Sequence, residues 1–97
     1  MHFDIKHLNV LVTATSSENR PIVQITDFGM AVLLQNDQQI IGKGGSISNL
    51  PPEVLLRQPS GRAVDIWALG VILHALLSSY LPFLGETKDD LKLAIVN

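Results

Sequence analysis

The sequence contains no cysteine. That excludes a disulfide framework, a thiolate nucleophile and a cysteine-built zinc site, and makes a reducing intracellular, cytoplasmic setting the default expectation. Charge is also scarce. Asp, Glu, Lys and Arg make up 16% of the chain, with a formal net charge of −2 and no basic block. A nucleic-acid binder that works by neutralising phosphates is thereby excluded. The opening Met1-His2-Phe3-Asp4 has an acid and no apolar run, so no secretory leader is expected. There is no internal repeat and no low-complexity segment.

What is present is apolar. Hydrophobic residues reach 46% and the mean hydropathy is +0.28, which excludes a disordered chain. Ninety-seven residues allow one small domain or a piece of a larger one. A chain of that size buries roughly 60–70% of its unfolded surface. The apolar excess is concentrated, since no charged residue occurs from Ile66 to Leu84. On length alone that run could span a membrane. Gly70, His74, Ser78 and Ser79 interrupt it, however, and Pro82 must end a helix shortly before it. The reading is therefore a soluble central helix over about 62–79 and no transmembrane span. Being apolar on all sides, this helix reads as the spine of a core larger than 97 residues can build.

The remaining elements follow from local signals. Val10-Leu11-Val12 and Ile22-Val23-Gln24-Ile25 predict a β-hairpin with a long tip over Thr13 to Pro21. Leu33 to Asn49, with Gly42, Gly44 and Gly45, reads as a long loop of the kind that is functional or mobile. Pro51 to Leu56 predicts a short helix opened by proline. Thr87-Lys88-Asp89-Asp90 resembles a capping box and predicts a final helix over about 88–96, fraying at its end. The fold class is α+β, mainly helical with one short hairpin.

Two stretches hold groups suited to chemistry. Asp27-Phe28-Gly29 places an acid at a strand's end, where it can reach a metal ion at a sheet rim; taken alone, a strand-to-turn exit is the simpler reading. His2 to Asn9 sets Asp4, Lys6 and Asn9 along one loop edge: an acceptor, a cation and a second oxygen ligand.

Together with two further motifs, these stretches resemble the C-terminal lobe of a eukaryotic protein kinase catalytic domain. His2 to Asn9 is similar to the catalytic-loop pattern H-R-D-x-K-x-x-N, with Phe3 in place of Arg. Asp27-Phe28-Gly29 matches D-F-G, and Pro51-Pro52-Glu53 matches A-P-E with one substitution. Asp65-Ile66-Trp67-Ala68-Leu69-Gly70 resembles the D-x-W-x-x-G opening of the lobe's central helix. The resemblance covers residues 1–97, about a third of a kinase domain, with an activation segment over 27–53. Gly61 to Asp65 and Leu81-Pro82-Phe83 resemble the calcium/calmodulin-dependent group. The hairpin tip with Ser17-Glu18-Asn19 is similar to its membrane-associated guanylate kinase branch, the CASK-like scaffolds. Lys6, two places after the acid, fits the serine/threonine pattern.

The resemblance implies roles. Asp4 would accept or orient the substrate hydroxyl proton, and Lys6 would offset charge on the γ-phosphoryl oxygens of ATP. Asn9 and Asp27 would hold magnesium (Mg²⁺), a hard cation that prefers oxygen ligands. His2, Gly29, Ser46, Glu53 and Asp65 would be structural: His2 supporting the loop, the Ser46 hydroxyl bonding Asp4 and Lys6, and Asp65 accepting backbone N–H bonds from the catalytic loop. Without the resemblance, Asp4 is a solvated acid near a terminus and Asp65 a first-turn acid that complements a helix dipole. His7 reads as an ordinary loop residue and His74 as a core or rim histidine.

Departures from the pattern set further expectations. Phe3 removes the Arg that binds an activation-loop phosphate in many kinases, which argues against gating by loop phosphorylation. Ile47 and Asn49 alter the surface that docks a peptide. The Arg partner of Glu53 would lie in a later helix. The 97 residues hold no glycine-rich phosphate loop and no strand Lys–helix Glu pair, and Gly42-x-Gly44-Gly45 is no substitute. The isolated chain is therefore expected to be inactive and prone to aggregate. The expected function is a serine/threonine kinase using ATP and Mg²⁺ on a protein substrate. Calmodulin or scaffold partners would act through regions outside these residues, with a peripheral plasma-membrane location. The alternative is a non-catalytic kinase-like scaffold or truncated regulator acting through protein contacts.

Overall fold

The computed structural model describes residues 1–42 and 44–97; Lys43, inside the expected 27–53 segment, lies outside the described residues. Two strands come first, β1 (Val10–Thr15) and β2 (Pro21–Ile25), paired antiparallel with Val10 opposite Ile25 and Thr15 opposite Pro21. The ladder is longer than the predicted hairpin. Thr13 to Thr15 read as tip, yet a bulge between Val12 and Ala14 absorbs one residue and lets pairing continue. Pro21 fits at a strand's first position, where no donor is required. The tip shrinks to Ser16–Arg20, closed by Ser16 N–H to Arg20 O at 2.6 Å with Asn19 in the left-handed region at φ 63°.

The long loop is not featureless. Ile40 and Ser60 exchange both backbone N–H···O bonds at 2.8 Å, and residues Ile47–Asn49 form a turn of 3-10 helix. Helix α1 (Pro52–Leu55) is a single turn with proline at its start, as that residue's missing N–H permits. Helix α2 (Ala63–Ser78) is one residue shorter at each end than predicted. Ser79 turns left-handed (φ 68°) and donates its N–H to Ala75 O at 2.8 Å, closing the helix before Pro82 is reached.

Helix α3 (Lys88–Val96) begins with a complete capping box. Asp90 N–H donates to Thr87 Oγ1 at 3.1 Å, and Thr87 N–H to Asp90 Oδ2 at 3.2 Å. Its end is tied rather than loose, because both the backbone and side-chain N–H groups of Asn97 donate to Leu93 O.

The core is small: Phe3, Leu50, Val54 and Val64, flanked by Met1, Met30 and Leu55. It lies where residues 1–5, the end of the long loop, α1 and the start of α2 meet. Only Val64, Ala68 and Val71 of α2 are buried, a stripe at i, i+4 and i+7. Ile66, Leu69, Leu73, Leu76 and Leu77 stay exposed, as do Val12, Val23 and Ile25 of the hairpin. The chain is accordingly a slab of 45 × 36 × 19 Å with a radius of gyration of 14.7 Å, where about 13 Å is usual for 100 residues. It exposes 6762 Å², against roughly 5,500 Å² for a compact monomer of this mass. Among the described residues no helix is long and apolar enough to cross a membrane.

Candidate active site

The 2–9 segment is folded by side chains that reach backbone groups. Phe3 adopts φ 70°, uncommon for a bulky residue. That bend aims two successive N–H groups one way, and the Asp65 carboxylate from the first turn of α2 takes both. Its Oδ2 accepts from His2 N–H at 2.7 Å and its Oδ1 from Phe3 N–H at 2.9 Å. Half-buried Asp65 is thus compensated by two charge-assisted bonds rather than by a cation.

His2 braces the same bend from the other side. Asp4 N–H donates to its Nδ1 at 3.1 Å, so Nδ1 is the acceptor. Nε2 then carries the proton and donates to Thr26 O at 2.9 Å. The ring also meets Phe28 edge-on, with centroids 5.0 Å apart.

Past the bend, four of the expected site residues come together. Asn9 Nδ2 donates to Asp4 O at 2.9 Å and reaches Asp4 Oδ2 at 3.4 Å. Lys6 Nζ stands 3.7 Å from the same Oδ2 and donates to Ser46 Oγ at 3.4 Å. The Asp4 side chain is 11% exposed and that of Lys6 24%, a charged pair at the edge of the core. The expectation that Ser46 bonds both partners is corrected in one respect: its hydroxyl meets Lys6, while Asn9 and Lys6 occupy Oδ2 of Asp4. Among the described residues Oδ1 of Asp4 accepts nothing.

Asp27 is joined to this cluster through the backbone. Thr26 N–H donates to Asn9 O at 2.8 Å and Thr26 Oγ1 to the same oxygen at 3.4 Å, which fixes the residue before Asp27. Asp27 is exposed and left-handed (φ 60°), and its Oδ1 accepts Gly29 N–H at 3.3 Å. A methyl at Gly29 would sit 3.2 Å from that oxygen, so glycine keeps the carboxylate uncrowded.

The donor set fits magnesium as far as it goes. Asn9 spends its amide nitrogen on Asp4, which leaves its oxygen as the free ligand atom, and Asp27 offers an exposed carboxylate. No three His, Cys, Asp or Glu converge among the described residues. Oxygen donors of this kind are the type that Mg²⁺ takes alongside phosphate oxygens and water.

Other expected residues stand apart. Glu53 sits in the first turn of α1 with no ion pair among the described residues. His74 is exposed on the rim, not in a core, and bonds Ser78 Oγ and Tyr80 O at 3.1 Å. Thr26 was missed, and its only sequence signal is a hydroxyl at a strand's end. Arg62 was missed as well, although its guanidinium donates to Asn36 O and, at 2.7 Å, to Leu34 O.

Comparison with known proteins places the chain in a family. A family model described as "Protein kinase domain" matches residues 1–97. The chain is 41% identical over 97 residues to serine/threonine-protein kinase PEPKR2 of Arabidopsis thaliana, covering all of this chain and 19% of that protein. It is 42% identical over 92 residues to the calcium/calmodulin-dependent protein kinase type II alpha chain of Drosophila melanogaster, covering 94% of this chain and 17% of the relative. Against the calcium/calmodulin-dependent protein kinase cmkA of Emericella nidulans it is 39% identical over 92 residues, 22% of that protein. The chain therefore spans about a fifth of the length of these relatives. The names of the last two support the calcium/calmodulin-dependent group, and none of the three carries information on the CASK-like branch. The chain belongs to the protein kinase domain family.

Proposed function

We propose that residues 1–97 form C-terminal-lobe structure of a serine/threonine protein kinase and contribute the acceptor-side chemistry of phosphoryl transfer from ATP to protein hydroxyls. The observation that carries this reading is the bonded cluster of Asp4, Lys6, Asn9 and Ser46, held from below by Asp65. Asn9 and Lys6 fix one oxygen of Asp4, so the other faces an incoming hydroxyl and takes its hydrogen bond as the oxygen attacks. Lys6 sets a cation beside that path, where negative charge gathers on the transferring group. The Asn9 amide oxygen and the Asp27 carboxylate are the atoms that would hold magnesium. Bound with ATP, the ion supplies neutralisation of phosphate charge.

Among the described residues nothing cradles the rest of a nucleotide, so the isolated chain neither binds ATP tightly nor transfers phosphate. Calmodulin control, named in two of the relatives, would act through residues beyond these. The second reading is a non-catalytic scaffold, favoured by the exposed apolar faces of the hairpin and α2.

The test uses the longer polypeptide that carries these residues, assayed for Mg²⁺-dependent transfer of labelled phosphate to a protein mixture. Asp4→Asn should lower the rate by about a hundredfold or more. Equal incorporation by wild type and Asp4→Asn would sink the assignment of Asp4. No incorporation by a folded wild type would favour the scaffold.

A further inference from the structure

The chain has seven Lys and Arg, and the described ones are engaged unevenly. Lys6 pairs with Asp4, Arg20 pairs with Glu18, and Arg62 grips the carbonyls of Leu34 and Asn36. Arg57, Lys88 and Lys92 make no ion pair among the described residues. Two of these three, Arg57 and Lys92, line one open hollow of about 300 Å³. Its walls are apolar, from Ile47, Leu50, Val54 and Leu55, and no Asp or Glu stands among the described lining residues.

Local structure brings both cations there. Arg57 follows α1 in the left-handed region at φ 56°. Its N–H donates to Val54 O at 3.1 Å and the Gln58 N–H to Glu53 O at 2.8 Å, paired bonds that close a helix at a residue usually glycine. Glycine would meet that backbone at no steric cost, so what arginine adds is its side chain. Lys92 comes from α3, which packs on α1 and on the Ile47–Asn49 turn. Two like charges that share one hollow with no acid between them repel, and an anion entering it relieves the repulsion.

The hollow adjoins the candidate site. Gly45 and Ile47, on either side of Ser46, both line it, and the Ser46 hydroxyl receives Lys6 Nζ beside Asp4. An extended peptide advances about 3.3–3.6 Å per residue. A side chain one or two residues from a hydroxyl at Asp4 therefore falls within reach of this opening.

We propose that the hollow between α1 and α3 is a specificity site for an acidic substrate residue. The methylene stem of a glutamate or aspartate, one or two places from the acceptor Ser or Thr, lies on Ile47, Leu50 and Leu55, and its carboxylate meets Arg57 and Lys92. This site takes its substrate from the phosphoryl-transfer reading and rests on it.

The test uses the longer polypeptide with ATP and Mg²⁺ on a synthetic peptide library. Each place around a central Ser is fixed in turn as Glu, Ala or Lys. One or two places from the acceptor, Glu should exceed Ala about three- to tenfold in kcat/KM, the size of two exposed charge pairs, and the preference should shrink with added salt. Arg57→Gly suits the left-handed backbone and Lys92→Gln an exposed helix position, so the double variant should keep the fold. It should bring Glu and Ala to within about twofold. Lys92→Glu should turn the preference toward Lys, which a loss of structure cannot do. The Glu peptide with Ala in place of the acceptor gives a readout that needs no phosphate transfer. Its Kd, by fluorescence anisotropy, should rise about three- to tenfold in the double variant.

Equal kcat/KM for Glu, Ala and Lys at every place overturns the proposal, as does a double variant that keeps the Glu preference or the wild-type Kd. A phosphoserine that outdoes Glu by about tenfold overturns it too, because the hollow would then take phosphate rather than carboxylate. Peptide binding that depends on both cations, without phosphate transfer, would count against the phosphoryl-transfer reading and leave the carboxylate site standing. Neither binding nor transfer by a folded wild type would overturn both.

Discussion

Replacing Asp65 by Asn tests what holds the 2–9 segment in shape. The carboxylate accepts two backbone N–H bonds at 2.7 and 2.9 Å. Asn keeps one acceptor oxygen and turns an NH₂ group toward the second N–H, so one bond is lost and a donor faces a donor. A hydrogen bond to a charged group contributes about 1.5–3 kcal/mol, and an unsatisfied buried donor costs about 1–3 kcal/mol. The expected destabilisation is therefore about 2–3 kcal/mol. That rivals the ~1–3 kcal/mol stored where a residue is held in a sparsely populated backbone region, as Phe3 is at φ 70°. The substitution should then free Phe3 to relax and draw Asp4 away from Lys6 and Asn9. If Asp65 merely complemented the α2 dipole, the loss would be about 0.3–1 kcal/mol and would shrink with added salt. The assay is urea unfolding of the longer polypeptide at low and high salt. With a slope of about 2 kcal/mol per molar, the midpoint should fall by about 1 M at either salt concentration. A fall below about 0.5 M, or one abolished by salt, would refute the two-bond account.

Two further outcomes follow from other parts of the chain. Thr87→Ala removes the Oγ1 that accepts Asp90 N–H, leaves the reciprocal backbone bond to Asp90 Oδ2, and should cost about 1 kcal/mol, read as a lower unfolding midpoint. An unchanged midpoint would mean that packing of Ile95 alone sets the start of α3. The isolated 97-residue chain should self-associate through the bare leucines of α2, eluting above 10.6 kDa in size-exclusion chromatography. Leu76→Lys with Leu77→Lys, at 76% and 81% exposure, should raise the monomer fraction without loss of helix. A monodisperse wild-type monomer with a cooperative melt would contradict this.

What was legible in the sequence is what side chains announce. Thr87 and Asp90 are spaced for a capping box, proline marks the start of α1, and the uncharged run from Ile66 marks α2. Asp4, Lys6 and Asn9 fall within six residues, and a loop that short brings them together without help from distant sequence. The extent of the hairpin was not legible, because a bulge hides the register of Thr13 to Thr15. Nor were the partners that are backbone carbonyls: Thr26 O for His2, Ile40 O for Ser60, and the carbonyls of Leu34 and Asn36 for Arg62. Every residue carries a carbonyl, so composition and spacing cannot single out the one that is used. Phe3 shows the same limit in a sharper form. The sequence displays an aromatic side chain where a cation stands in the resembling pattern, and reads it as a loss. Folding brings the ring into the core with Leu50, Val54 and Val64 and lays Gly42 against it, and a glycine that presents no side chain leaves no apolar pattern for the ring to match.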